Sequence, residues 1–185
     1  SKEIDYLGII NNNNFEIKNY KMPQGKSNHS MLYIPYINCI TIIGGNDKNS
    51  FLFNIDNNNF INLPELNGIH IEPALAINEN YLYCLSSFDK NKKFFERIDL
   101  SKCFNPNDLL IKWEKLYPRY YLSYNNKLFG IAKDFNDDKI ILPCGDSKEG
   151  NTLLYDTKNN SVIKSNGTNQ ICLLDDKTFY NINEN

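Results

Sequence analysis

Short apolar runs, each closed by Gly, Asn, Asp or Ser, recur along this chain, and none is long enough for a helix of ordinary length. Cys39-Ile40-Thr41-Ile42-Ile43 ends in the pair Gly44-Gly45. Ser50-Phe51-Leu52-Phe53-Asn54-Ile55-Asp56 and Asn59-Phe60-Ile61-Asn62-Leu63-Pro64 follow. Runs of this length, rich in Ile, Phe and Tyr and bounded by turn residues, predict β-strands.

The same order of three strands comes again in Tyr81 to Ser87, Phe94 to Asp99 and Lys112 to Leu116. A third copy runs through Ile140 to Gly145, Thr152 to Asp156 and Ser161 to Ile163. Gly45 to Asp56 spans 11 residues, Ser87 to Asp99 spans 12 and Gly145 to Asp156 spans 11, so the order is a repeat. About ten extra residues, Ser101 to Leu110, separate the second and third strands of the middle copy. Tyr6 to Phe15 overlays Phe51 to Phe60 as a partial opening copy. Ile171 to Leu174 and Thr178 to Ile182 supply a fourth strand and then a lone first strand.

An apolar strand ending in Gly44-Gly45, the steps Ile55-Asp56 and Tyr155-Asp156, the series Phe60 to Pro64 and Trp113 to Pro118, and His29-Ser30 ahead of Met31 resemble the kelch repeat. The likeness extends over nearly the whole chain but is degenerate: Ser86-Ser87 replaces the second glycine pair, and Trp113 is the one tryptophan. It implies an all-β fold, a β-propeller of four-stranded antiparallel kelch-like blades. The expected division within a single domain, 1–185, is a partial blade over 1–38, blades over 39–80, 81–138 and 139–177, and a lone inner strand over 178–185. Two completions fit: a closed ring of four blades, or an excerpt of a larger propeller, the latter favoured. Open blade edges would call for further blades or self-association. In this frame the inner strands read as continuous apolar runs because both blade faces are covered, and the glycine pair sits at the end of the innermost strand.

Composition narrows the function classes. At 185 residues the chain can bury roughly 70% of its unfolded surface, enough for a core. Asparagine occurs 31 times, concentrated in turn positions such as Asn11 to Asn14 and Asn57 to Asn59. The net charge of −2 and the scattered lysines, with only Arg97 and Arg119 as arginines, argue against nucleic acid. No apolar stretch is long enough to span a membrane, and no signal peptide is evident. Five cysteines without a C-x-x-C pair point to free thiols in an intracellular, cytoplasmic setting rather than to a disulfide framework or zinc site. The sequons at Asn28 and Asn166 are expected by chance at this asparagine content.

Catalytic and metal constellations are missing, so no enzyme activity, metal or cofactor is expected. His29 and His70 lie 15 residues before Gly44 and 16 before Ser86, equivalent places that favour structural roles. Asp134-Phe135-Asn136-Asp137-Asp138 alternates oxygen ligands as a calcium loop does. However, Lys139 and Gly145 occupy the positions that need Gly and Glu, so the stretch reads as a turn. Cys144 has no neighbouring histidine to activate it.

What remains is binding. In a propeller the loops between second and third strands and those between blades emerge on one face, which the kelch resemblance makes a partner site. Here that face would hold the turns at Asn11 to Asn14, Asp56 to Asn59, Asn78 to Asn80, Thr157 to Asn160 and Asp175 to Lys177. Candidate contacts are Phe104, Asn105 and Leu109 from the insertion, with Asp134, Asp137, Asp138, Asp175 and Asp176, whose charge suits a basic peptide segment. The expected function is a non-catalytic kelch-type protein-interaction scaffold, the alternative being an accessory or lectin-like propeller domain of a larger enzyme.

Overall fold

The computed structural model describes residues 4–11, 16–85, 94–104, 111–117, 133–136, 139–142, 152–165, 171–173 and 179–181. Among them the chain is all-β. Strands β1 (Ile4–Asn11) and β2 (Glu16–Lys26) form a two-stranded sheet. β3 (His29–Ile34), β4 (Cys39–Gly44), β5 (Ser50–Asn54) and β6 (Asn59–Leu63) form a four-stranded sheet in that order. A second four-stranded sheet contains β7 (Ala74–Asn78), β8 (Tyr81–Leu85), β9 (Phe95–Asp99) and β10 (Glu114–Leu116). The third contains β11 (Lys133–Asn136), β12 (Lys139–Leu142), β13 (Thr152–Asp156) and β14 (Ser161–Ser165). β15 (Ile171–Leu173) and β16 (Phe179–Asn181) end the series as an antiparallel pair. Every strand pair is antiparallel. One turn of helix, α1 (Leu100–Cys103), stands at the start of the expected insertion.

The strands expected from the repeat are present, but the sheets are phased one strand earlier. Ala74–Asn78 does not complete the sheet of β4 to β6: Asn78 pairs with Tyr81 across a tight turn, with Glu79 in the left-handed region, so β7 opens the next sheet. Likewise β3 pairs with β4 through His29↔Gly44 to Ile34↔Cys39. Sheet limits therefore fall at 29–63, 74–116 and 133–165 rather than at 39–80, 81–138 and 139–177. A two-residue hairpin forces its flanking strands to pair with each other, whereas the ten residues from Pro64 to Pro73 are free to cross to a new sheet.

Continuous apolar strands arise because the sheets stack face to face. In β4 and β5, Ile42, Phe51 and Phe53 meet Leu7 and Met22 of the first two strands. Residues of opposite parity, Cys39, Ile43 and Leu52, join Leu75, Leu82, Cys84, Ile98 and Trp113 of the next sheet. The far face of that sheet repeats the arrangement: Ala74, Ala76, Tyr83, Leu85 and Phe95 pack with Ile140 and Tyr155 of the third. Period-two alternation thus separates two cores instead of a core from water. The one buried hydroxyl in β4, Thr41, is satisfied by accepting from Leu32 N at 3.1 Å and donating to Leu32 O at 3.2 Å. The opening strands lie side by side, β7 between β3 and β11.

Gly44 and Gly45 therefore end the second strand of a sheet, not its first. Both have positive φ, 77° and 103°. A Cβ on Gly44 would stand 2.3 Å from His70 O, and one on Gly45 2.5 Å from Ser27 O. Glycine is required because two crossing segments, 26–28 and 70–73, press against this bend, with Gly45 N donating to His70 O at 2.7 Å and Glu72 N to Asn28 O at 2.7 Å.

Candidate functional site

Antiparallel order puts the turns between first and second strands and those between third and fourth at one end of every sheet. The expected turns at 56–59, 78–80 and 157–160 still fall on that common end, since a shift of one strand preserves the alternation. What changes is their role. Asn78 to Asn80 joins two strands within a sheet rather than two successive sheets. Residues 12–14, 137–138 and 175–177 of the other expected turns lie outside the described residues.

Asparagine and aspartate side chains build this end by bonding the backbone of their own turns. Asn54 Oδ1 accepts from Asp56 N at 2.9 Å and Asn57 N at 3.1 Å. Asp99 Oδ1 accepts from Ser101 N at 3.0 Å, and Asp156 Oδ1 from Asn159 N at 2.8 Å. Each of these residues ends the third strand of its sheet, so Asn54, and not Asp56, is the counterpart of Asp99 and Asp156. The interval from Gly45 is therefore shorter than the regular 11 to 12 residues counted from the sequence. The adjoining turns are tied in parallel fashion, with Ile55 N donating to Asn38 O at 3.0 Å and Leu100 N to Asn80 O at 2.8 Å.

On this hydrogen-bonded polar rim stand exposed aromatics. Tyr33 and Tyr36 are 50% and 53% exposed, and Phe104, which follows α1, is 42% exposed. Tyr33 donates to Asn38 Oδ1 at 2.9 Å, and Asn38 Nδ2 donates to Asp56 Oδ1 at 2.6 Å. Burial raises the Tyr36 pKa, with Asp99 and Cys103 adding to the rise. Ile37 of the 35–37 turn and Cys103, next to Phe104, pack against the same core cluster, so both turns border it. Of the residues singled out from sequence, Phe104 is thus on this rim. Asp134 lies in β11 opposite Ile140. Asn105, Leu109, Asp137, Asp138, Asp175 and Asp176 lie outside the described residues, as does Cys144. Tyr33 and Tyr36 escaped the sequence reading because nothing in an isolated strand or turn tells which aromatics a neighbouring sheet will cover.

The two histidines are not equivalent. His29 heads β3 opposite Gly44. Burial and then Lys26 lower its pKa, and its buried Nδ1 has no hydrogen-bond partner among the described residues. His70 sits four residues before β7, wholly buried, with Nε2 2.8 Å from Glu96 Oε1, and Glu96 is wholly buried too. Glu96 also accepts from Asn67 N, Asn67 Nδ2 and Gly68 N at 2.8, 2.7 and 3.0 Å. Burial alone would neutralise the pair. Against it, Cys84 and Glu96 push the His70 pKa up to about 10, and the donors to Glu96 hold its pKa down.

An ion pair of the same kind stitches the preceding junction: Lys26, with its side chain fully withdrawn from solvent, donates to Asp47, to Asn49 O and, at 3.2 Å, to Gly44 O. Sequence separations of 21 and 26 residues hid both pairs. Cys39, Cys84 and Cys103 carry free thiols, and no group of three or more potential metal ligands occurs among the described residues. No described helix is long and apolar enough to cross a membrane.

No protein-family model matches the sequence, and no curated protein matches it either.

Proposed function

We propose that the chain is a run of kelch-like propeller blades acting inside the cell as a non-catalytic scaffold for a protein partner. The supporting observation is the serial stacking of four-stranded antiparallel sheets with their first strands side by side, which gathers the turns of successive sheets into one continuous surface. That surface combines fixed backbone with exposed Tyr33, Tyr36 and Phe104. Aromatic side chains on a rigid base contribute large contact area at small entropic cost, as anchors of protein interfaces do. Asp56 and Glu79 are exposed among these turns, as are Lys102 and Lys158, so a basic segment on the partner would have to meet the acidic pair and avoid the lysines.

The test is capture from native extract on immobilised protein, with Tyr36→Ser/Phe104→Ser as the paired bait. A partner held by the intact chain and lost from the double variant supports the reading. Equal retention of the same proteins by both, or retention of none by either folded bait, rejects this surface as the docking face.

A further inference from the structure

The segment that crosses from the first four-stranded sheet to the second contains Asn67-Gly68, one of two Asn-Gly steps in the chain, the other being Asn166-Gly167. This dipeptide is chemically self-reactive. The glycine nitrogen, once deprotonated, attacks the asparagine Cγ; the bond to the side-chain nitrogen breaks and ammonia leaves, closing a succinimide ring. Water then adds to either imide carbonyl and opens the ring to aspartate or isoaspartate. Glycine favours the reaction because no Cβ obstructs the approach of its nitrogen.

Each atom that must move is held. Gly68 N donates to Glu96 Oε1 at 3.0 Å, and losing that proton beside a carboxylate is disfavoured. Asn67 Nδ2, the leaving group, donates to Glu96 Oε2 at 2.7 Å and to Trp113 O at 2.8 Å, while Asn67 N donates to the same Oε2 at 2.8 Å. Asn67 is nonetheless solvent-exposed as a residue, so water is at hand when the clamp opens. Conversion to aspartate replaces a donor by a negative oxygen facing two acceptors, one of them a buried carboxylate. Isoaspartate in addition lengthens the backbone by one methylene across three closely spaced bonds.

We propose that Asn67-Gly68 is a modification site at which spontaneous deamidation is suppressed while the Glu96 clamp is closed, and at which deamidation in an opened molecule prevents the clamp from closing again. The site acts as a one-way latch: it records opening of the junction between two sheets and removes molecules that have opened for long.

The test compares intact protein in native buffer and in urea at one mildly alkaline pH and temperature, with deamidation at residue 67 quantified by peptide mass spectrometry. The expected native rate is at least about tenfold below that in urea, since only opened molecules react. In urea Asn67 and Asn166 should convert at similar rates. When protein aged in urea is diluted, the fraction that fails to refold should be enriched in chains carrying aspartate or isoaspartate at position 67. An Asn67→Asp variant should unfold at lower urea than Asn67→Gln, which keeps a donor. Native and urea rates within about twofold overturn the protective half of the proposal. Equal deamidation in refolded and unrefolded fractions, or an Asn67→Asp variant as stable as the parent, overturns the latch.

Discussion

His70 Nε2 stands 2.8 Å from Glu96 Oε1, with both side chains shut off from solvent, and this contact joins the segment between two sheets to the third strand of the second. Breaking a buried pair by removing one partner leaves an uncompensated group, at a typical cost of about 3–5 kcal/mol. Glu96 also serves Asn67 and Gly68, so Glu96→Ala should cost at least as much as His70→Ala. Urea unfolding of the two variants checks the order.

The same pair sets a pH dependence. His70 has a folded pKa raised from 6.5 to about 10, so its contribution is complete below about pH 6.5 and is lost as pH rises toward 10. Glu96 is shifted down from 4.5, so its contribution is complete above about pH 4.5 and is lost as pH falls below that value. The two statements describe one interaction and are not summed. The stabilisation from the pair should peak between these limits, and His70→Gln should flatten the alkaline limb. Urea midpoints at about pH 5.5 and pH 9 for parent and variant decide it.

Gly44→Ala and Gly45→Ala should each destabilise by more than about 2 kcal/mol, because a methyl group would meet His70 O or Ser27 O well inside contact distance on a backbone of positive φ. A thermal melt of each single variant reads this directly. Gly8→Ala serves as a contrast, since the nearest atom to its Cβ would be the side-chain oxygen of Asn19 at 3.3 Å.

Trp113 is 2% exposed and donates from Nε1 to Pro64 O at 2.9 Å, across the same junction. Its fluorescence should be blue-shifted in the folded chain and should move to the red on unfolding. Trp113→Phe leaves Pro64 O with Ser50 Oγ at 3.0 Å as a remaining donor, so the lost bond should cost only about 1 kcal/mol, against about 3–5 kcal/mol for Trp113→Ala.

Tyr36 and Phe104 are each about half-buried, so Tyr36→Ser and Phe104→Ser should each cost about 1 kcal/mol, less than the loss of a core aromatic. Loss of partner capture by variants whose urea midpoints fall only by that amount would separate a docking role from a folding role.

The sequence by itself determined the strands and their turns. Apolar runs of a few residues between Gly, Asn and Asp satisfy their backbone and bury their side chains together only as paired strands, and β4, β5, β8 and β13 lie where those runs are. It also determined the repeating order, because like segments fold alike. The grouping of strands into sheets was decided by tertiary structure. Phe60 and Trp113 look alike as repeat positions, but Asn78↔Tyr81 pairing across a tight hairpin places Ala74–Asn78 in the second sheet rather than the first. The clamps were likewise invisible. Lys26 with Asp47, and His70 with Glu96, are ordinary polar residues until face-to-face stacking removes water from between them and makes each the other's partner.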